Sequence, residues 1–343
     1  MRVLFYDSKQ YDIDSFKKEN ESFKFELNFL EFKLTKDSVE LAKGYDAVCV
    51  FVNDIVTEEI INRLYEVGVK LIALRCAGYN NINFKAAFQK IHIVRVPSYS
   101  PYAVAEHAAA LMMTLNRKTH KAYNRTKESN FNIGGLIGFD FYKKTIGIIG
   151  TGKIGQIFIN IAKGFGMRIL AFDKFPIKEL DVEYTDLDTI YKESDIISLH
   201  CPLLKETEHL INENSISKMK NGVMIINTSR GGLINAKDLI NGLKTRKIGS
   251  AGLDVYEEEA DYFFEDFSND MIKDDTLARL LSFPNVLVTS HQAFLTNEAL
   301  KNIANTTLQN IQDFSQDKIL VNEICYQCPH EGNCPKVLNK KCF

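Results

Sequence analysis

Short apolar runs separated by helical segments recur along almost the whole chain, and this alternation constrains its fold more than any other feature. The first hundred residues contain the runs RVLFY, DAVCVF, KLIALRC and HIVRVP. After residue 144 follow TIGIIG, MRILAFD, DIISLHCP, VMIINTS, GSAGLDVY and NVLVTSHQ. Strands that alternate with helices form parallel sheets covered by helices on both faces. The sequence therefore predicts an α/β protein with two doubly wound parallel sheets.

The order of these runs predicts that one domain is inserted into the other. An apolar helix that begins near Pro101 separates the two series of strands, and a final helix at about 297–316 has no strand after it. We expect that final helix to pack back on the first domain. The predicted ranges are 1–100 with 298–324 for the outer domain, 101–297 for the inserted domain and 325–343 for a cysteine-rich tail.

The charge balance gives no reason to expect nucleic-acid or membrane binding. The 343 residues include 42 Lys and Arg against 44 Asp and Glu, which gives a formal net charge of −2. No apolar run approaches the roughly 20 residues that cross a bilayer, and the N-terminal sequence lacks the features of a signal peptide. We therefore expect the protein in the cytoplasm.

The run TIGIIG leads into GTGKIG at 150–155, a G-x-G-x-x-G motif between a predicted strand and a predicted helix. The first glycine permits a tight turn, the second lets the backbone approach a diphosphate, and the third lets the helix pack closely on the strand. The free N–H groups and the dipole of a helix N-terminus favour the bound anion. The predicted cofactor residues of the motif are Gly150, Gly152, Lys153, Ile154 and Gly155.

Asp173 ends the next predicted strand, 18 positions after Gly155. A carboxylate at this position accepts hydrogen bonds from the hydroxyls of the adenosine ribose. It would also repel a 2′-phosphate. The motif and Asp173 together predict a binding site for NAD rather than NADP.

Three kinds of side chain that suit the reduction of a 2-keto acid follow predicted strands of the second series. Arg230, in NTSRGG, carries a guanidinium that can bind a carboxylate through two parallel hydrogen bonds. His291 follows NVLVTS, and histidine serves as an acid or a base near neutral pH. A neighbouring carboxylate would stabilise the imidazolium of His291 and fix its tautomer. The run DVYEEEAD offers Glu257, Glu258 and Glu259 for that role, and the residues alone leave the choice open.

The tail contains four of the seven cysteines, namely Cys325, Cys328, Cys334 and Cys342. A C-x2-C pair is the usual spacing for half of a zinc site, but the second half of the pattern is irregular. Thiolates also hold iron–sulfur clusters. The sequence leaves zinc, an iron–sulfur site, a redox pair and a segment with free thiols as alternatives.

Several segments resemble the D-isomer-specific 2-hydroxyacid dehydrogenases, and within that family the bacterial fermentative D-lactate dehydrogenases. The resemblance covers about residues 1–323 and implies a Rossmann-like NAD-binding domain inserted into a flavodoxin-like catalytic domain. It also implies reduction of a small 2-keto acid, above all pyruvate, by NADH to the D-2-hydroxy acid. The segments are RCAGYNNI, VPSYSPYAVAEHAA, IGIIGTGKIG with AFD, DIISLHCPL, NGVMIINTSRGGLI, GLDVYEEEADYFFEDFSND and NVLVTSHQAFLT.

The same resemblance implies roles for individual residues. It implies that Arg230 binds the substrate carboxylate, that His291 is the acid and base, and that Glu259 is the partner of His291. The further cofactor residues implied are Thr207, Thr228 and Asp254, the last of which also helps to tune the site. The substrate-binding residues implied are Ala77 and Gly78 through their backbone, and Tyr99, Phe51 and Phe294.

Two alternatives stay open at this point. Another dehydrogenase of the family, acting on glyoxylate, hydroxypyruvate or branched 2-keto acids, would carry the same groups, although Phe51 favours a small substrate. Formate dehydrogenases of this fold resemble the chain less, because they typically have glutamine in place of the glutamate partner. Some proteins of the fold are NAD-sensing corepressors rather than enzymes. The helix after Pro101 and the arm that follows resemble the dimer element of the family, so we expect a homodimer or homotetramer.

Overall fold

The computed structural model describes residues 1–259 and 262–326, and it divides the chain into two units. Among the described residues, unit 1 comprises Met1–Ser100 and residues 295–326, and unit 2 lies within Pro101–Phe294. Each unit contains one β-sheet, with five strands in unit 1 and seven in unit 2. The two parallel sheets with their helices confirm the predicted α/β class.

The strands are short, as the apolar runs in the sequence predicted. They are β1 Arg2–Phe5, β2 Glu26–Phe29, β3 Ala47–Val50, β4 Leu71–Leu74, β5 His92–Arg95, β6 Thr145–Ile149, β7 Arg168–Phe172, β8 Glu183–Tyr184, β9 Ile196–Leu199, β10 Val223–Asn227, β11 Ile248–Leu253 and β12 Val286–Val288. The α-helices are α1 Gln10–Asn20, α2 Glu58–Glu66, α3 Phe84–Ala87, α4 Pro101–Arg117, α5 Thr119–Lys127, α6 Lys153–Gly164, α7 Leu187–Glu193, α8 Glu213–Lys218, α9 Ala236–Lys244, α10 Asp275–Ser282 and α11 Asn297–Ser315. Within the described residues, no helix combines the length and the apolar character that a membrane span requires.

The unit 1 sheet has the strand order β2-β1-β3-β4-β5, and all of its pairings are parallel. Strands β3 and β4 are buried along their whole length. Helix α11 packs on α1 and also contacts β4 and β5. The last helix of the described chain therefore lies on the sheet formed by the first hundred residues.

The unit 2 sheet has the strand order β12-β11-β10-β9-β6-β7-β8, again with parallel pairings throughout. The chain runs outward from β6 to β7 and β8, and then crosses to β9 on the other side of β6. This reversal is the switch point at which doubly wound sheets bind dinucleotides, outside the carboxyl ends of the strands. The glycine motif follows β6 and so lies at that point.

Helices pack closely on the unit 2 sheet because glycines in its strands face them. A Cβ on Gly252 in β11 would lie 3.1 Å from side-chain atoms of Leu111 and Leu115 in α4. A Cβ on Gly147 in β6 would lie 2.5 Å from the side chain of Ile190 in α7. The apolar residues of α4 are thus buried against α6 and the strands of their own unit.

Candidate active site

The glycine motif forms the turn between β6 and α6. Gly150 has a φ of +100°, and a Cβ there would lie 2.6 Å from the backbone that follows β9. A Cβ on Gly155 would lie 2.1 Å from the carbonyl oxygen of Gly150, so the helix and the turn are in direct contact. A Cβ on Gly152 would meet no atom within 4 Å. Lys153 and Ile154 begin α6, whose first N–H groups have no helical acceptor. Open space beside free N–H groups fits the diphosphate of a dinucleotide.

Asp173, directly after β7, holds the glycine turn in place. Its Oδ2 accepts hydrogen bonds from the backbone N–H of Thr151 at 2.6 Å and from the hydroxyl of Thr151 at 3.1 Å. Its Oδ1 accepts a hydrogen bond from the N–H of Phe175 at 2.8 Å. A carboxylate accepts about four hydrogen bonds, so Asp173 has room for about one more. That position fits a ribose hydroxyl, while the contact with Thr151 is a structural role that sequence reasoning missed.

The two threonines expected near the cofactor differ in what their hydroxyls bind. The Thr207 hydroxyl accepts a hydrogen bond from the N–H of Leu204 and donates one to the carbonyl oxygen of Pro202, both at 2.7 Å. The Thr207 hydroxyl therefore bridges two backbone groups of the loop in which it lies. Thr228 is buried, and its hydroxyl has no hydrogen-bond partner among residues 1–259 and 262–326. Because a buried hydroxyl without a partner costs about 1–3 kcal/mol, Thr228 suits a ligand contact better than Thr207.

His200 also follows a strand of this sheet, but its surroundings make it a poor proton donor. Its Nε2 lies 2.9 Å from the hydroxyl of Ser198, and its ring centroid lies 4.8 Å from that of Phe158. Desolvation by burial lowers the pKa of His200 to about 3. The imidazole is therefore neutral at pH 7.

Arg230 lies in a turn after β10 that is fixed by the buried side chain of Asn227. The amide of Asn227 donates to the carbonyl oxygen of Arg230 at 2.9 Å and accepts from the N–H of Ser229 at 3.0 Å. One guanidinium nitrogen of Arg230 donates to the carbonyl oxygen of Ser229 at 2.7 Å. In the described part of the chain, Arg230 forms no ion pair with a carboxylate. Its charge is therefore available to an external anion.

His291 and Glu259 form a close pair. His291 Nδ1 lies 2.6 Å from Glu259 Oε1, and each side chain is 21% exposed. The second carboxylate oxygen of Glu259 accepts a hydrogen bond from the N–H of Tyr256 at 2.9 Å, which fixes the carboxylate. A carboxylate at Nδ1 favours the tautomer with a proton on Nδ1 and leaves Nε2 to exchange a proton with a ligand.

The structure distinguishes the three consecutive glutamates that the residues alone could not. Glu259 contacts His291. Glu257 instead lies 2.6 Å from Nε2 of a different histidine, His209. Glu258 is exposed. The glutamate that the resemblance implied is therefore the one beside His291.

Asp254, at the end of β11, is fully buried and makes its hydrogen bonds with protein groups. Its Oδ1 accepts from the hydroxyl of Thr289 at 2.6 Å and from the N–H of Gln292 at 2.9 Å. Its Oδ2 accepts from the N–H of Ala293 at 2.8 Å. Asp254 thus holds the turn that carries His291, a role that sequence reasoning did not assign to it. A contact with the cofactor stays a prediction.

Arg230, Glu259 and His291 follow β10, β11 and β12, which are neighbours in one parallel sheet. Strands are spaced by about 4.8 Å, so the ends of β10 and β12 are about 10 Å apart across that edge. The structure brings His291 and Glu259 into contact. Arg230 lies on the same edge, without a hydrogen bond to either of them.

Most of the expected substrate-binding residues lie in unit 1, after the carboxyl ends of β3, β4 and β5. Phe51 is buried with its ring 4.8 Å from the guanidinium of Arg75. The carbonyl oxygen of Ala77 accepts from Arg95 at 2.8 Å, that of Gly78 from the Cys76 thiol at 3.3 Å, and that of Tyr99 from Asn302 at 2.7 Å. Phe294 is buried in unit 2.

The predicted cysteine site lies mostly outside the described residues. Cys328, Cys334 and Cys342 lie outside the described residues, and Cys325 is buried. Within the described ranges, no group of three or more His, Cys, Asp and Glu side chains could hold a metal ion.

Comparison with known proteins places the chain among dehydrogenases. Residues 109–293 match the family model described as D-isomer specific 2-hydroxyacid dehydrogenase, NAD binding domain. The chain is 54% identical to the D-lactate dehydrogenase of Escherichia coli over 328 residues, which cover 94% of this chain and 100% of that protein.

The solved structures that resemble this chain agree with the sequence comparison. The apo-structure of D-lactate dehydrogenase from Escherichia coli aligns with a TM-score of 0.88 and 51% identity, covering 94% of this chain and 100% of that one. The pyruvate reductase of Chlamydomonas reinhardtii aligns with a TM-score of 0.90 and 44% identity, covering 94% of this chain and 98% of that one.

The glycine turn yields the first prediction. Gly155→Ala places a methyl group against the carbonyl oxygen of Gly150, so α6 must move away from the turn. We expect NADH affinity to fall by at least about tenfold, which corresponds to about 1.4 kcal/mol, as measured by NADH fluorescence titration. Gly164→Ala is the matched control at the other end of α6, because its Cβ would meet nothing within 4 Å. Equal affinities of the two variants would contradict this account of the turn.

Proposed function

The chain belongs to the D-isomer-specific 2-hydroxyacid dehydrogenase family, and we propose that it is an NAD-dependent D-lactate dehydrogenase that reduces pyruvate to D-lactate. The observation that carries this proposal is the His291–Glu259 pair on the same sheet edge as an Arg230 without a carboxylate partner. An acid, its charge-stabilising partner and an anion-binding cation are what the reduction of a 2-keto acid requires. The relatives named D-lactate dehydrogenase support the choice of pyruvate.

The cofactor is NAD(H), and the residues of unit 2 fit it. The glycine turn and the start of α6, with Gly152, Lys153 and Ile154, would bind the diphosphate. Asp173 would accept a ribose hydroxyl, and the buried hydroxyl of Thr228 would contact the cofactor beyond it. Bound NADH supplies the hydride that reduces C2 of the keto acid.

Arg230 binds the carboxylate of the substrate in this proposal. Its guanidinium forms two parallel hydrogen bonds with a carboxylate, which fixes both the position and the plane of the bound acid. Asn227 holds the backbone on either side of Arg230, so the guanidinium starts from a defined position. A preorganised cation of this kind orients C2 toward the cofactor.

His291 handles the proton. In its charged form, His291 donates the Nε2 proton to the carbonyl oxygen of pyruvate as that oxygen gains negative charge. Glu259 stabilises the imidazolium through Nδ1 and keeps Nε2 directed at the substrate. In the reverse direction, neutral His291 accepts the hydroxyl proton of D-lactate at Nε2.

Unit 1 supplies the remaining substrate contacts in this proposal. We assign residues 1–100 with 298–324 to the substrate domain and residues 101–297 to the NAD-binding domain. In this proposal, the backbone N–H groups at Ala77 and Gly78 bind the substrate carboxylate. Phe51, Tyr99 and Phe294 contact the substrate, and the size of these side chains favours a three-carbon acid.

The segment after α5 supports a dimeric enzyme. Phe131, Ile133 and Ile137 are 75%, 80% and 86% exposed in the single chain. Apolar side chains grouped on one exposed segment mark an interaction surface. We therefore propose a homodimer or a dimer of dimers.

We also propose that the protein is located in the cytoplasm. The buried thiols of Cys49 and Cys201 are consistent with that reducing compartment.

The activity is tested by following NADH absorbance with a panel of keto acids. We expect pyruvate to give the highest kcat/KM among pyruvate, glyoxylate, hydroxypyruvate and branched 2-keto acids, and NADH to exceed NADPH. The product should be D-lactate, as measured by chiral chromatography. Preference for another keto acid would reassign the substrate. If NADH binds but none of these acids is turned over, the proposal of an enzyme would give way to that of an NAD-sensing protein.

The acid role of His291 is tested by replacing the imidazole that carries the transferred proton. We expect His291→Gln to lower kcat by about 10²–10⁴-fold, the usual share of general acid–base catalysis. Glu259→Gln should lower kcat less, because it removes the charge that stabilises the imidazolium but keeps a polar partner. The exposed neighbour variant Glu258→Gln is the matched control and should behave as wild type. Turnover of His291→Gln near the wild-type rate would refute the assignment.

The carboxylate role of Arg230 is tested with a lysine. Arg230→Lys keeps the charge but loses the planar fork, so we expect kcat/KM for pyruvate to fall by about 10–100-fold. Affinity for NADH, measured by fluorescence, should stay close to wild type. The exposed Arg279→Lys serves as control. If kcat and KM for pyruvate are unchanged in Arg230→Lys, the substrate carboxylate binds elsewhere.

A further inference from the structure

His107, which has no role in the proposed reaction, contacts Thr289 and Asp254. These two residues support the turn that carries His291. His107 lies on α4, and its side chain is 18% exposed. Its Nε2 is 3.0 Å from the hydroxyl oxygen of Thr289 and 3.3 Å from Oδ1 of Asp254. Thr289 is two residues before His291 in the chain.

The hydrogen-bond directions in this network are determined by the chemistry of its members. The 2.6 Å contact between the Thr289 hydroxyl and Asp254 requires the hydroxyl to donate, because a carboxylate only accepts. A hydroxyl has one proton, so Thr289 must accept its second hydrogen bond. His107 therefore carries a proton on Nε2 and donates it, and the chain of bonds runs from His107 through Thr289 to Asp254.

Asp254 in turn fixes the backbone around His291. The N–H of His291 donates to the carbonyl oxygen of Asp254 at 2.8 Å. The next two N–H groups, of Gln292 and Ala293, donate to the two oxygens of the Asp254 carboxylate. Asp254 thus makes three of the hydrogen bonds that hold the turn of His291, and its carboxylate is also contacted by the side chains of Thr289 and His107.

The backbone of His291 needs this support because its conformation is unfavourable. His291 has a φ of +48°, in the left-handed region. That conformation costs a non-glycine residue roughly 1–2 kcal/mol. It persists where surrounding bonds fix it, so weaker support beneath the turn lets the imidazole leave its position beside Glu259.

We propose that His107 is a positioning residue for His291. The proposal rests on the proposed acid role of His291 and adds a residue on a different helix. His107 keeps Thr289 and Asp254 in place by donating from Nε2, and it lies close enough to Asp254 to stabilise the buried carboxylate. It acts through these two residues, without touching substrate or cofactor.

Substitutions at His107 separate positioning from simple packing. We expect His107→Leu to lower kcat for pyruvate on the order of 10- to 100-fold, because a displacement of a catalytic group by about 1 Å can cost up to about 100-fold. KM for NADH should change much less, because the glycine turn is untouched. His107→Gln, which can still donate an N–H to Thr289, should recover most of the loss. Glu106→Gln, at the exposed neighbouring position of α4, is the control.

A second measurement does not depend on turnover. We expect the proton between His291 Nδ1 and Glu259 Oε1 to give a low-field ¹H NMR signal, which His291→Gln would identify by its loss. We expect His107→Leu to shift or broaden that signal and His107→Gln to restore it. If the wild type fails to reduce pyruvate but the signal responds in this way, the proposed function is wrong and the positioning role stands.

A double-mutant cycle tests whether the effect of His107 on His291 passes through Thr289. Because His107 acts through Thr289, we expect His107→Leu to lower kcat further by much less in a Thr289→Val background than in the wild type. Should His107→Leu prove unfolded, His107→Met, which also lacks an N–H donor, takes its place in the same cycle. A folded His107→Leu with wild-type kcat and an unchanged NMR signal would overturn the proposal, even if its melting temperature were lower.

Discussion

The parallel hydrogen-bond ladder of unit 2 is the constraint on which its site depends. Every pairing from β12 to β8 is parallel, so all seven strands end at the same edge. Residues far apart in the chain, such as Asp173, Arg230 and His291, follow carboxyl ends of strands and reach that edge without long loops. The ladder also requires a cover on both faces, and Gly147 and Gly252 allow helices to approach closely enough to provide it.

The buried carboxylate of Asp254 connects folding with the proposed chemistry. A buried charge is costly unless hydrogen bonds satisfy it, and here three donors from the protein do so. Two of those donors are backbone N–H groups directly after His291. The bonds that make burial of Asp254 tolerable are therefore the bonds that keep His291 in its left-handed conformation. The position of the imidazole follows from satisfying a buried charge.

Sequence reasoning found what depends on local pattern and missed what depends on distant contacts. The apolar runs predicted ten of the twelve described strands. Strands β2 and β8 were missed because they are partly exposed edge strands, β8 with only two residues, and carry little apolar signal. The residues alone left Glu257, Glu258 and Glu259 equivalent, since the choice depends on which of them meets His291 in the fold. Asn227 offered a local signal, because Asn side chains commonly bond the backbone two residues on. His107 offered none, being 182 positions from Thr289.

Polar groups at this edge fall into two classes, and the division supports the proposed roles. Asp254, Asn227 and Glu259 have their oxygens bonded to protein groups, which rigidifies the turns around them. The Thr228 hydroxyl and the Arg230 guanidinium keep capacity that no described residue takes up. A protein tolerates unpaired polar groups where a ligand will pair with them. Because the paired groups hold the unpaired ones in position, a bound keto acid would meet donors that need little reorganisation, and that preorganisation is a main source of rate enhancement in enzymes.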